Sequence, residues 1–201
     1  MELWLIRHAL PVRIDSGDGP ADPGLASDGH EQAARLARWW GRFGADALYT
    51  SPMARARETA EPLAKALGLE PVVVDDLREF DANEPTYIPV EELRADPALW
   101  QAAVDAWLSP EAEASRQEFR NVVVQAVTGI TETDVGRAAI VCHGGVINAY
   151  MSRVLGLAGS VFFEPAYTSV SRVIATGEHR QMVSINEAPH LEYLAQPAIS
   201  L

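Results

Sequence analysis

The sequence predicts an α/β fold in which helices cover a mostly parallel sheet. Three observations carry this. Strand-like and helix-like segments alternate along the chain, as crossover helices between parallel strands require. Two apolar runs, LWLI at Leu3–Ile6 and AAIV at Ala138–Val141, are unbroken and read as strands. Each stops at polar residues, Arg7-His8 in one case and His143-Gly144-Gly145 (after Cys142) in the other, and open α/β sheets put ligands at the carboxyl ends of their strands.

The elements follow in order. Glu2–Ile6 reads as a buried strand, and the Gly, Pro and Asp of Ser16–Gly24 read as a loop. Ala33, Leu36, Ala37 and Trp40 recur at helical spacing. Ala45–Thr50 is a short strand; Ser51 and Pro52 then sit as N-cap and first helical residue. That helix shows an apolar face through Ala56, Ala60, Leu63 and Leu67 and closes at Gly68. Pro71–Val74 is a strand, and Asp75–Pro89 is acidic and aperiodic. Two helical segments follow, around Leu99, Ala103 and Trp107 and through Phe119, Val122, Val123, Ala126 and Ile130. After the strand Ala138–Cys142, a helix runs through Val146, Ile147, Tyr150, Met151 and Val154. Ser169–Ala175 and Gln181–Ile185 are closing strands joined at Gly177. No linker or repeat divides the chain, so residues 1–201 are expected to form one domain, with Phe80–Ser115 as a lid that shapes substrate binding.

Composition bounds the function. The 201 residues fit one domain of roughly 100–200 residues, and 48% hydrophobic with 22% charged content is ordinary for a globular chain. No apolar stretch approaches the ~20 residues that cross a bilayer. The opening MELWLIRHALP lacks the layout of a signal peptide, and a single cysteine, Cys142, suits a reducing cytoplasm. A net charge of −12 argues against nucleic acid, which needs a basic footprint. Nothing in the sequence specifies an oligomer.

The chemistry is concentrated at strand ends. In a parallel sheet the two runs end on one edge, so His8 and His143 can meet. Gly144 and Gly145 permit close backbone approach to a ligand, at the N-terminus of a helix whose free N–H groups attract anions. Arg55 sits in the first turn of another helix that follows a strand. Arg7, Arg55, His8 and His143 thus form a basic pocket suited to a tetrahedral phosphate: guanidinium forks hold its oxygens and a neutral imidazole attacks its phosphorus. The departing alkoxide needs a proton, which Glu79 in VVVDDLREFD can supply, with Asp81 and Glu84 as rivals.

These motifs together, RH after an N-terminal strand, SPMARARETA at 51–60, LREF at 77–80 and VCHGG at 141–145, resemble the histidine phosphatase superfamily, the phosphoglycerate-mutase-like family (branch 1). LASDGHEQA at 25–33, SVSRV at 169–173 and INEAPHL at 185–191 are similar to further family segments. The resemblance implies a three-layer α/β/α sandwich. It implies that His8 is the nucleophile and carries a transient phosphohistidine, that Arg7, Arg55 and His143 hold the phosphoryl oxygens, and that Glu79 protonates the leaving group. No cofactor and no metal are implied.

The sequence departs from the family at Ala9, where glycine is usual, at Leu10–Val12, where polar residues are usual, and at DANEPTYIP after Glu79. Alanine at position 9 is expected to be harmless if its φ is negative. The other two changes alter the substrate pocket. Apolar Leu10–Val12 argues against the polar cradle that a mutase needs for its substrate's carboxylate. The expected activity is therefore metal-independent hydrolysis of a small phosphorylated metabolite, ahead of a phosphoglycerate-type phosphomutase and a non-catalytic phosphate-binding module. Arg94 is the scarce basic residue of the 80–115 segment, which suits no polyanionic target. Cys142 reads as a core thiol, Trp100, Trp107 and Tyr87 as lid core, and His30, His179 and His190 as exposed.

Overall fold

The computed structural model describes residues 1–15, 19–159 and 161–191; of the loop expected over Ser16–Gly24, residues 16–18 lie outside that set. The central layer is a six-stranded sheet among the described residues, in the order β3-β2-β4-β1-β5-β6. Its strands are β1 (Glu2–Arg7), β2 (Ala47–Thr50), β3 (Val72–Val73), β4 (Arg137–Cys142), β5 (Val170–Thr176) and β6 (His179–Glu187). The first four are mutually parallel, whereas β5 runs antiparallel to β1 and is joined to β6 as a hairpin through Gly177, whose φ is +55°. The mostly parallel expectation is met, and the antiparallel pair sits at one margin.

Alternate residues of β1 face opposite layers, and both faces are covered. Leu3 and Leu5 pack with Ile140 and Cys142 of β4 against Val123, Val127, Val146, Ile147 and Met151. The helices on that side are α5 (Pro110–Thr131) and α6 (Gly144–Leu155). Trp4 and Ile6 pack instead with Leu36, Trp40, Ala56, Ala60 and Leu63, from α1 (Ser27–Trp40) and α2 (Ala54–Leu67). Burial on two faces explains why β1 and β4 carry continuous apolar runs rather than an alternating pattern. The result is a three-layer α/β/α sandwich.

Trp4 anchors the α1 side. Its ring centre lies 4.2 Å from that of Trp40, and the Arg137 and Arg172 guanidinium groups sit 5.3 and 4.8 Å from its ring. Those two arginines also hold the Glu2 carboxylate, at 2.8 and 3.0 Å, closing the sheet edge opposite the site.

Two expectations need correction. Ser51 does not cap α2. The helix starts three residues later, at Ala54, whose N–H donates to Asp22 Oδ1 at 2.8 Å, so the Ser51 hydroxyl reaches only the Met53 N–H ahead of the helix, at 3.3 Å. The 80–115 region holds α3 (Val90–Ala95) and α4 (Pro97–Leu108) before α5, one helix more than its periodicity suggested. A six-residue helix presents too few turns to show a period. Asp96 ends α3 and caps α4, accepting from the Ala98 and Leu99 N–H groups at 2.9 and 3.2 Å.

Removal of the Trp4 ring should cost about 3–5 kcal/mol, the range for a buried aromatic truncated to alanine. Chemical denaturation of Trp4→Ala beside half-buried Trp39→Ala should show the larger loss at Trp4; equal losses would contradict its anchoring role.

Candidate active site

The site forms because β1 and β4 are neighbours in a fixed register. Arg7 pairs with Cys142, so the residues that follow each strand, His8 and His143, emerge side by side. Their ring centres are 5.1 Å apart, close to the ~4.8 Å spacing of adjacent strands. On the other flank of β4, Thr50 pairs with Val141, and Ser51 comes out next to His143. Arg55 follows as the second residue of α2. Arg7, His8, Arg55 and His143 are all buried.

Hydrogen bonding sets the state of each imidazole. His8 Nδ1 lies 2.8 Å from the Ala9 carbonyl, which only accepts, so Nδ1 carries the proton and Nε2 keeps its lone pair. Ala9 itself is buried, keeps a negative φ as expected, and donates its N–H to Thr59 Oγ1 at 2.9 Å. His143 Nε2 lies 2.8 Å from Ser51 Oγ, which also accepts the Met53 N–H at 3.3 Å. The arrangement that uses every group has Ser51 donating to Nε2, which leaves the His143 proton on Nδ1.

Electrostatics agree. Burial first, then the Arg55 and Arg7 charges, push His8 well below its ordinary pKa and keep it neutral. His143 is lowered for the same reasons, with His8 adding to Arg55 and Arg7. The cations are not consumed by carboxylates. Arg55 meets Asp81 at 3.5 Å through Nη2, while its Nε and Nη1, together with Arg7 Nε and His143 Nδ1, are buried and have no hydrogen-bond partner among the described residues. Buried N–H donors are seldom left unpaired, and these four belong to the same cluster. Donors of this kind suit the oxygens of a tetrahedral anion.

Glu79 stands apart from its rivals. Its Oε2 accepts the Gly145 N–H at 2.8 Å and its Oε1 the Phe80 N–H at 2.9 Å, which places the carboxyl at the N-terminus of α6. Those bonds favour the charged form, but burial and then Asp81 outweigh them and raise its pKa. Asp81 is turned to Arg55, and the Glu84 side chain is exposed. Gly145 is needed for an unexpected reason: a Cβ there would lie 2.2 Å from Glu79 Oε1. The close approach foreseen for a ligand is, at this glycine, the approach of Glu79. At Gly144 a Cβ would meet nothing nearer than Arg7 Nε at 3.8 Å.

Several contacts lay beyond sequence reasoning. Tyr87, expected in a lid core, covers Arg55 with its ring 4.8 Å from the guanidinium carbon. Tyr167 covers Arg7 at 4.1 Å and lies 5.7 Å from the His8 ring. His190, expected to be exposed, is half-buried and 2.9 Å from Thr168 Oγ1. Each partner is distant in sequence, so no local pattern announced it. Trp107 does pack inward, against Phe80 at 5.1 Å, and Cys142 is a buried thiol whose pKa burial raises.

The fold and the site define an α/β protein with adjacent imidazoles and two buried guanidinium groups gathered at the carboxyl edge of its sheet. Residues 3–188 match the histidine phosphatase superfamily (branch 1), and the chain belongs to that superfamily. A Hydrogenobacter thermophilus relative named "Putative phosphoserine phosphatase 2" is 27% identical over 96% of this chain and 98% of its own. A Yersinia enterocolitica relative named "Probable phosphoglycerate mutase GpmB" is 27% identical over 78% of this chain and 76% of its own. Among solved structures, phosphoserine phosphatase from Entamoeba histolytica in complex with 3-phosphoglyceric acid superimposes with a TM-score of 0.72, at 21% identity, over 94% of this chain and 98% of that one.

Gly145→Ala should destabilise the protein by about 1–3 kcal/mol, the usual cost of overpacking, as the new methyl drives Glu79 from its two N–H donors. Gly144→Ala should be neutral or gain up to about 1 kcal/mol from helix propensity. Thermal denaturation of the two variants checks this, and equal effects would contradict it.

Proposed function

We propose that the protein is a metal-independent phosphatase that hydrolyses a small phosphomonoester through a phosphohistidine on His8. One observation carries the proposal: a neutral imidazole with a free Nε2 lone pair stands among buried cationic donors that lack partners among the described residues. In the first step Nε2 attacks phosphorus, the N–P bond forms and the ester P–O bond breaks. Glu79 gives its proton to the departing alkoxide. In the second step a water attacks phosphorus, Glu79 takes its proton, and the N–P bond breaks to release phosphate and restore His8.

Arg7, Arg55 and His143 Nδ1 are read as the ligands of the nonbridging oxygens, with the Gly144 N–H at the start of α6 beside them. Fixed donors of this kind lower the barrier because they need no reorganisation as charge shifts. The guanidinium groups supply the charge that a metal would otherwise bring, so chelators should leave turnover intact. The buried lone thiol suits a reducing cytoplasm.

Phe80–Ser115 is read as the substrate-shaping lid of a single 1–201 domain. Supporting this, Tyr167 OH donates to Glu91 at 3.2 Å, Arg13 pairs with Glu92 at 3.0 Å, and Arg94 pairs with Glu164. The cations at this mouth are thus committed to carboxylates, which leaves little to bind a second anion on the substrate. The mutase is the second reading, favoured by the Yersinia relative's name. A coupled assay on phosphoglycerates separates the two, since only a mutase returns the phosphoryl group to the product.

His8→Ala should abolish turnover of aryl and alkyl phosphates while the protein still melts cooperatively; activity within a few-fold of the parent would refute the nucleophile. Glu79→Gln should cripple alkyl phosphates, whose alkoxide needs a proton, and spare aryl phosphates. Equal loss on both would move the acid to another residue.

The pH profile follows from the two shifts. Attack requires neutral His8, lowered from its usual 6.5, and proton donation requires neutral Glu79, raised from its usual 4.5. Activity on an alkyl phosphate should therefore persist below pH 6.5 and fall as pH rises through the Glu79 pKa. Glu79→Gln should remove that alkaline fall; its survival in the variant would assign it to a different group.

A further inference from the structure

One stretch of chain outside the residues assigned above controls how Arg7 sits. Arg7 Nη1 donates to the Pro165 carbonyl at 2.5 Å, its guanidinium carbon lies 4.1 Å from the Tyr167 ring centre, and the Glu164 carboxylate is 4.0 Å away. All three partners belong to residues 161–169, between α6 and β5, which are neither helix nor strand. Such a segment has no backbone ladder of its own, so its hydrogen bonds must be found elsewhere.

Side chains fix it at three points. At the start, buried Asn148 of α6 uses both ends of its amide. Its Oδ1 accepts the Phe162 and Phe163 N–H groups at 3.0 and 3.3 Å, and its Nδ2 donates to the Gly144 and Phe163 carbonyls, each at 2.9 Å. In the middle, the Ala166 N–H donates to Asn186 Oδ1 at 2.7 Å. At the end, the Thr168 N–H donates to the Arg7 carbonyl at 3.0 Å and lies 3.3 Å from that of His8. His190 Nε2 meets the Thr168 hydroxyl at 2.9 Å.

The backbone angles single out the same points. Among the described residues, the non-glycine positions with positive φ are Thr168 at +56° and Asn186 at +57°. Both are anchors of this one segment. A β-branched threonine in that region is a genuine outlier, and strain of this kind costs on the order of 1–3 kcal/mol and persists only where the surroundings over-determine it. Thr168 lies on the stretch that touches Arg7, and Asn186 lies in β6 with its side chain holding that stretch at Ala166.

We propose that Phe162–Thr168 is a preorganised collar for Arg7, and that Asn186 and Asn148 are positioning residues that act on the phosphoryl group through it. A guanidinium binds an oxyanion through two parallel N–H bonds only when its plane is held, and the collar holds that plane from one face and one edge. The proposal rests on the reading of Arg7 as a phosphoryl ligand.

The test is a double-mutant cycle on the full chain, reading kcat/KM for an aryl phosphate and the inhibition constant of orthovanadate. Asn186→Gly keeps the positive φ without strain and deletes the Oδ1 acceptor; Asn186→Asp restores an acceptor. Asn186→Gly should lower kcat/KM and weaken vanadate by about five- to tenfold, the worth of one hydrogen bond. Asn186→Asp should recover most of that, and in an Arg7→Ala background Asn186→Gly should do nothing further. A loss of the same size in that background would overturn the collar, as would loss of the melting transition in Asn186→Gly, which would make Asn186 a general stability residue. Arg7→Ala within twofold of the parent would sink the phosphoryl-ligand reading itself, and it is scored without reference to Asn186.

Discussion

The parallel pairing of β1 with β4 is the constraint on which the rest of the site depends. The first paired positions of the two strands, Glu2 and Arg137, are 135 residues apart in sequence, and only the ladder fixes which residues stand abreast. A slip of one residue would turn His8 to the opposite face from His143. The slip is prevented by burial on both faces, because it would also carry Trp4 and Ile6 out of the α1–α2 layer and Leu3 and Leu5 out of the α5–α6 layer. The apolar runs that make the core are thus the same feature that sets the geometry of the imidazoles.

Electrostatics then act within that frame. The chain carries a net charge of −12, yet Arg7 and Arg55 are buried with N–H groups that no carboxylate among the described residues satisfies. Buried cations are costly unless paired, so an arrangement that keeps them partly unpaired favours an arriving anion. The same burial keeps both imidazoles neutral and holds Glu79 closer to its protonated form, against two backbone donors that pull the other way. One low-dielectric setting therefore gives opposite groups, a base-like nitrogen and an acid-like carboxyl, the states that ester cleavage needs.

Support for the site comes from parts of the chain that carry no charge themselves. Thr59 holds the Ala9 N–H, Ser51 holds His143, and the Gly145 N–H holds Glu79. The Gly145 interaction couples the end of β4 to the acidic stretch after β3, two regions that share no element. Tyr87 and Tyr167 cover the two guanidinium groups with ring faces, limiting access of water while leaving the charge intact.

How much of this the sequence carried depends on the range of each interaction. The alternation of elements, the apolar runs of β1 and β4, the helix faces and the histidines at strand ends were legible, because periodicity and strand-end punctuation are local signals. The cap of α2, the partner of His190 and the aromatic cover over Arg55 were not, because each was decided by a residue tens of positions away, and α3 was not because six residues are too few to show a period. Ser51 shows the difference: locally it is a helix cap, but α2 starts three residues later, and the neighbouring end of β4 gives its hydroxyl an imidazole partner. By itself the sequence determined which groups could do chemistry and on which strand ends they stand. Tertiary structure alone decided which of them touch, which stay neutral and which glycine must yield room for Glu79, since those outcomes arise from burial and contact between segments that only folding brings together.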